Sequence, residues 1–170
     1  ISVTDCNGNS SHYFYSEKSE LLKMVDALGN ETEYEYDPNS NLVRIVKKGR
    51  DNNCEEVVTR YDRDILGRVV GIIDSVGAEE RYTYNGKGYL TEKIDKEGYL
   101  TKYGYTNSGD VNYIQYADGK EVRLSYNALR QLEEMKDWTG ITTIKNDAAG
   151  RALDIVYPDG KEISYLSLIH

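Results

Sequence analysis

Apolar and polar residues alternate in short runs along this chain, and the alternation restarts at a fixed interval. Tyr82-Thr83-Tyr84-Asn85 sets two rings two residues apart, and Gly88, Leu90, Ile94, Asp95 and Gly98 follow. Twenty-one residues later come Tyr103-Gly104-Tyr105, Gly109, Val111, Ile114 and Gly119. Another 21 brings Leu124-Ser125-Tyr126-Asn127, Leu132, Met135, Asp137 and Gly140. Upstream, Tyr13-Phe14-Tyr15 precedes Leu21, Met24, Val25, Asp26 and Gly29, and Tyr34-Glu35-Tyr36-Asp37 keeps the same step. Arg60-Tyr61-Asp62 then leads to Gly67, Val69, Ile73, Asp74 and Gly77, its Tyr 25 residues after Tyr36, so Asp51–Glu56 reads as a short insertion. Downstream, Asn146-Asp147-Ala148-Ala149-Gly150-Arg151 keeps the Asp and Gly without the Tyr, and a half-unit begins at Tyr165. Seven units and a remnant result, with residues 1–11 as a lead-in, 12–166 as the array and 167–170 as a tail.

Each unit predicts two strands and two turns. Residues two apart share a face of a strand, so both rings of Tyr-x-Tyr point one way. The Leu/Val and Ile/Met positions mark a second strand. Leu90 and Ile94 share a face under strict alternation, whereas Leu132 and Met135 do not. Either a bulge intervenes or both faces are partly covered. The four-residue turns Asp26–Gly29, Asp74–Gly77, Asp95–Gly98 and Asp137–Gly140 open with an Asp that can bond the backbone ahead and close with a Gly suited to positive φ. Tyr157-Pro158-Asp159-Gly160 is the same turn with Pro second. A lone hairpin is barely stable, so the units are expected to pair into one antiparallel sheet of about fourteen strands that curves and twists. Helix is not expected, and the best helical stretch, Tyr126 to Met135, fits its repeat register better.

Composition changes the picture in one respect. The chain has 16 Tyr against one Phe and one Trp, so rings with hydroxyls must supply most of the large apolar surface. Its net charge of −8 repels nucleic acid and anionic membranes, and no apolar run is long enough to insert in a bilayer. Lys47, Lys48 and Arg50, the only dense basic cluster, read as a solvated turn. Cys6 and Cys54 lack metal-ligand spacing and leave two readings open, one bridge or two thiols. The chain opens at Ile1 and closes on Ser-Leu-Ile-His, which reads as a piece of a longer protein.

The Tyr, Asp and Gly positions in phase over residues 12 to 166 resemble the YD-repeat, or RHS-repeat, family. That family includes bacterial RHS polymorphic toxins, wall-associated proteins, the C components of insecticidal toxin complexes and the teneurins. The resemblance implies a strip of hairpins spiralling into a hollow shell, which in bacterial members encloses a C-terminal toxin. It implies a secreted or cell-surface bacterial scaffold, with tyrosines facing inward or packing between hairpins. The core-associated segment that closes such shells, and in many members self-cleaves with paired aspartates, has no match after Gly150. The partner expected first is therefore the rest of a parent shell. Two open sheet edges also invite self-association.

Candidate chemistry is sparse. His12 and His170, near the two ends, are the only histidines, too few for a nucleophile–base pair or a zinc site. Glu31, Glu33 and Glu35 alternate along one strand and read as its solvent face. Adjacent Glu79-Glu80 and Glu133-Glu134 point to opposite faces, which argues against a paired-carboxylate glycosidase. Asp26, Asp74, Asp95 and Asp137 could line a rim for Ca²⁺, but turn capping accounts for them. Gly86-Lys87-Gly88 lies in a hairpin turn and is no phosphate cradle. No enzyme activity, cofactor or metal is expected. The alternative to a scaffold is a carbohydrate- or protein-binding surface, in which Tyr82, Tyr84, Tyr103, Tyr105 and Trp138 would stack against a ligand such as a glycan.

Overall fold

The structure, a computed structural model, describes residues 1–49 and 55–165. The regular elements among the described residues are sixteen strands. In the sheet the strands follow one another in sequence order, an antiparallel meander of hairpins. This is the predicted all-β hairpin array. The strand count exceeds fourteen because Ser2–Thr4 pairs onto the first predicted hairpin and Glu162–Ser164 onto the last.

Contacts group the chain into two compact units. The first comprises Ile1–Tyr82 with Asp95–Gly98. It contains β1 (Ser2–Thr4), β2 (Ser10–Tyr15), β3 (Leu21–Val25), β4 (Glu31–Tyr36), β5 (Leu42–Lys48), β6 (Val57–Arg63), β7 (Val69–Ile73) and most of β8 (Glu79–Tyr84). The second comprises Thr83–Ile94 and the residues from Tyr99 onward. It contains β9 (Leu90–Ile94), β10 (Leu100–Tyr105), β11 (Val111–Gln115), β12 (Glu121–Tyr126), β13 (Leu132–Asp137), β14 (Gly140–Asn146), β15 (Ala152–Val156) and β16 (Glu162–Ser164). The stretch expected as helix-compatible, Tyr126 to Met135, is the end of β12, a turn and the start of β13. Of the expected insertion, Asp51 to Cys54 lie outside the described residues, as does the tail.

A bulge settles the question of faces. In β12 and β13, Leu124 pairs with Met135 and Tyr126 with Leu132, so Glu133 is an extra residue on one strand. Leu132 and Met135 therefore stand on the face of Leu124 and Tyr126 although they are three apart. The same slip recurs in the hairpins β2–β3, β4–β5, β6–β7, β10–β11 and β14–β15. Tyr13 and Tyr15 pair with Met24 and Leu21, Tyr34 and Tyr36 with Ile45 and Leu42, and Tyr103 and Tyr105 with Ile114 and Val111. One face thus collects rings opposite aliphatic side chains, pairs that contribute roughly 0.2–1 kcal/mol each.

The bulge also corrects two assignments. Tyr61 pairs with Ile72, so Ile73 lies on the opposite face. In β9 it is Lys93, paired with Thr101, that takes the place held in the next hairpin by Ile114, paired with Val122. Ile94 pairs instead with Leu100 and is partly exposed. Strict alternation could not show this, because the bulge moves the phase by one residue at the start of every second strand.

The turns follow one design with one exception. In Asp26–Gly29, Asp26 N–H donates to the Asn30 carbonyl (2.9 Å) and Gly29 N–H to the Asp26 carbonyl (3.0 Å). The Asp26 carboxylate accepts from Leu28 N–H (2.9 Å) and Asn30 N–H (2.8 Å). Gly29 closes the turn at φ 86°, left-handed backbone that glycine adopts without steric cost. Asp37, Asp64 and Asp147 repeat the carboxylate pattern. Asp137-Trp138-Thr139-Gly140 departs from it. Here Asp137 pairs directly with Gly140 in the ladder, so Trp138 and Thr139 alone make the loop.

Very little is enclosed. Among the described residues Val46 and Val122 are the buried hydrophobics, with Thr32 and Thr142 as buried polar residues, and no large side chain is fully buried. Within each unit the strands form a layer with two faces rather than a wrapped core.

Candidate functional site

Three second rings of Tyr-x-Tyr, Tyr36, Tyr105 and Tyr126, tie their hairpins to the ones before them. The backbone pairing of β11 with β12 stops at Tyr113 and Arg123, which leaves the Val111 carbonyl beyond the ladder. Tyr126 Oη donates to that carbonyl at 2.6 Å. Tyr105 Oη donates likewise to the Leu90 carbonyl (2.7 Å) and Tyr36 Oη to the Leu21 carbonyl (3.0 Å). An unpartnered carbonyl away from water would cost about 1–3 kcal/mol, so the phenol answers a real need. Burial, the largest cause in each case, raises the phenol pKa of Tyr36, Tyr105 and Tyr126 above its ordinary value. The proton that makes the bond is thereby kept.

Where the second Tyr is absent, another donor takes over. Arg63 Nε donates to the Leu42 carbonyl (2.8 Å), and Asn146 Nδ2 to the Leu132 carbonyl (2.8 Å). Sequence reading placed Tyr61 with Asp62 as the repeat signature. The register instead puts Tyr61 in the first Tyr position and Arg63 in the second. A hydrogen-bond donor two residues after each first-ring position was the available signal.

The opposite face is charged and internally neutralised. Lys23 pairs with Glu31 (2.6 Å), Lys48 with Glu33 (2.7 Å) and Arg44 with Glu35. In the second unit Arg123 pairs with Glu121 (3.1 Å) and lies 5.2 Å from the Tyr113 ring centre. Such exposed pairs contribute about 0–1 kcal/mol each, and they mask the acidic row on β4. Glu79 and Glu80 divide between faces as expected, Glu79 bonding Arg81 (3.0 Å) and Glu80 accepting from Tyr82 Oη (2.5 Å).

The rim carboxylates are similarly committed. Asp74 accepts from Lys96 Nζ (2.7 Å), and Asp110 takes a forked bond from the Arg130 guanidinium. These cations hold both carboxyls below the usual range. Asn30 does the same for Asp26 through its side chain, and Thr139 for Asp137. Among the described residues no group of three or more His, Cys, Asp or Glu side chains is arranged to hold a metal ion. His12 and Cys6 are exposed, while His170 and Cys54 lie outside the described residues.

The five aromatic residues singled out from the sequence divide between the two units. Tyr82 is in the first unit, half-buried and bonded to Glu80. Tyr84, Tyr103 and Tyr105 are in the second, also half-buried, and the Tyr105 ring packs 4.9 Å from that of Tyr89. Trp138 lies elsewhere, on a turn tip, 56% exposed, with Tyr116 edge-on at 6.1 Å and the Lys120 ammonium 5.2 Å from its ring centre. Tyr89 and Tyr116 escaped the sequence reading, and Tyr157 entered it only as a turn residue, because each adjoins a turn, outside the Tyr-x-Tyr signature.

No family model matches the chain. Its fold does match solved toxin structures. TcdB2-TccC3-Cdc42 aligns over 96% of this chain with 14% identity and a TM-score of 0.59. The Photorhabdus luminescens Tc holotoxin pore aligns over 98% with 14% identity and a TM-score of 0.62. TcdB2-TccC3 without its hypervariable C-terminal region aligns over 98% with 13% identity and a TM-score of 0.60. In each case the chain spans 11% of the chain it matches. In fold, this chain is the array of hairpins that its 21-residue pattern implied, and it shares that fold with a stretch of the Tc toxin chains.

Proposed function

We propose that the chain is a non-catalytic wall segment of a larger YD/RHS-repeat shell, secreted or displayed at the cell surface of a bacterium. The observation that carries this reading is the single layer. Among the described residues, sixteen strands in sequence order bury only Val46 and Val122 of their apolar side chains, which suits a wall better than a structure that wraps a site. The tied joints suit that role, because Tyr36, Arg63, Tyr105, Tyr126 and Asn146 fix their hairpins to the preceding ones by a side chain as well as by the ladder. The neighbours of β1 and β16 would be further repeats of the parent, since both present open edges that another strand can extend. Enclosure of a toxin belongs, on this reading, to the parent protein.

Electron cryomicroscopy of the intact protein containing this chain tests the proposal. The expected map shows its strands continuous with flanking repeats in the wall of a closed chamber. An array projecting free of any enclosure, with both faces in solvent, would overturn it.

A further inference from the structure

We propose that Tyr89 and Tyr105 form an oxidative cross-linking site, at which a one-electron oxidant joins the two rings into dityrosine. This is independent of the wall reading, since it concerns the chemistry of two side chains within the second unit.

The register brings the pair together. The ladder between β9 and β10 runs from Leu100 opposite Ile94 to Lys102 opposite Glu92. Continued three residues further, it sets Tyr105 directly opposite Tyr89, where cross-strand side chains touch. The ring centres lie 4.9 Å apart, with their planes inclined by 30°. Each ring is also held in place. Tyr105 Oη donates to the Leu90 carbonyl at 2.7 Å, and the Tyr89 ring lies against Gly109 in the turn that follows β10. A Cβ on Gly109 would stand 2.5 Å from Tyr89 Oη and 2.8 Å from Tyr89 Cζ, so the ring fills the space that a side chain at 109 would take.

The repeat itself asks for no ring at position 89. Continued in the same way, the neighbouring ladders set Glu20 opposite Tyr36, Arg68 opposite Tyr84 and Asp110 opposite Tyr126. Those partners supply charge, and here the partner is a second phenol. A local departure from a repeat's own pattern is where function is expected. The other close ring contact is unsuited to the reaction, because Tyr116 meets the Trp138 indole at 6.1 Å and 81°.

The chemistry follows from the contact. Loss of one electron and the phenolic proton from each Tyr leaves two phenoxyl radicals, with unpaired spin on the ring carbons beside the oxygen. One such carbon from each ring forms the new carbon–carbon bond. The hydrogen on each of them then moves to its own phenol oxygen, which restores both aromatic rings. The pair has lost two electrons and two protons. One hydrogen peroxide takes them up at a haem peroxidase and is reduced to two waters. Held in contact, the radicals meet at an effective concentration of about millimolar or more, far above that of dilute protein. The product closes a covalent loop across β9 and β10, as a disulfide would.

Treating the dilute chain with peroxidase and hydrogen peroxide tests the proposal. The expected product is a monomer lighter by two hydrogens, with dityrosine emission, whose tandem mass spectra place the bond between Tyr89 and Tyr105. Tyr89→Phe should lose that product, because its ring still packs on Tyr105 but forms no phenoxyl radical. Tyr99→Phe should keep it, since Tyr99 is 61% exposed and lies outside the pair. A monomer without dityrosine, or one whose bond maps to another pair of tyrosines, would overturn the proposal. So would an undiminished yield in Tyr89→Phe. Dityrosine formed only between molecules, its yield rising with protein concentration, would overturn it as well.

Discussion

The joint at Tyr126 and the joint at Asn146 meet the same need with different side chains. Both satisfy a carbonyl left beyond the ladder at the start of the preceding second strand, that of Val111 in one case and Leu132 in the other. Tyr126 also places a half-buried ring against Leu132 in the apolar layer. Asn146 stands opposite Ala152, where neither partner offers much surface to bury. The repeat therefore asks two things of this position, a donor and a ring, and the degenerate unit has kept only the donor. Loss of the Tyr in sequence is not loss of the joint.

Truncating both positions separates the two demands. Tyr126→Ala removes ring and donor together and should cost about 2–4 kcal/mol. Asn146→Ala removes the donor alone and should cost about 1 kcal/mol. Urea denaturation of the two variants beside the parent chain measures both. Equal losses would break the comparison, because the ring at Tyr126 would then add nothing beyond its hydroxyl.

Two glycines at neighbouring tips extend the contrast from joints to turns. Gly119 sits at φ 83° with open space where a Cβ would point, so Gly119→Ala should cost about 1 kcal/mol of backbone strain. Gly140 combines φ 136° with the close approach of Pro158, and Gly140→Ala should cost about 2 kcal/mol or more. Thermal unfolding of the pair ranks them. A Gly140→Ala variant no worse than Gly119→Ala would show that the tips do not press on one another.

A smaller change isolates the hydroxyl. Tyr126→Phe keeps the ring and leaves the Val111 carbonyl without its donor, for an expected loss of about 1 kcal/mol. The same figure is expected for Asn146→Leu, which also deletes only a donor. If Tyr126→Phe melted with the parent chain, the bond at 2.6 Å would contribute nothing net.

The hairpins, their order and most turns were legible because period, ring spacing and Asp-x-x-Gly are local signals. Faces were legible only for the first strand of each unit. A bulge one residue after Leu21, Leu42, Val69, Val111, Leu132 and Ala152 shifts the second strand, and no residue type marks it. The left-handed turn positions of Ser19, Ser40 and Arg130 were equally silent, because the rule that places Gly there is a preference. Arg130 lies one hairpin from its carboxylate partner, Asp110, a contact that only the assembled rim creates. Trp138 was legible as a turn residue, and it is exposed there. Its companions Tyr116 and Pro158 come from other hairpins, so the cluster exists only once three tips are side by side.

Alkaline pH offers the finest division between the two joints, because only one of them titrates. Burial raises the Tyr126 phenol above its ordinary value near 10, so the folded state holds the proton more tightly than the unfolded chain does. Stability from this group is complete below the unfolded value and is lost as pH rises through the folded one. The gap in melting temperature between the parent chain and Tyr126→Phe should therefore close between neutral pH and the far side of that titration. The gap to Asn146→Leu should stay level over the same range, since the Asn146 amide has no proton to lose there. Tyr36 and Tyr105 ionise in both members of each pair, so their effect cancels from the differences. A Tyr126→Phe gap that stayed level would mean that its phenol is no more protected when folded than when free, and the two joints would then be tied by bonds of the same kind.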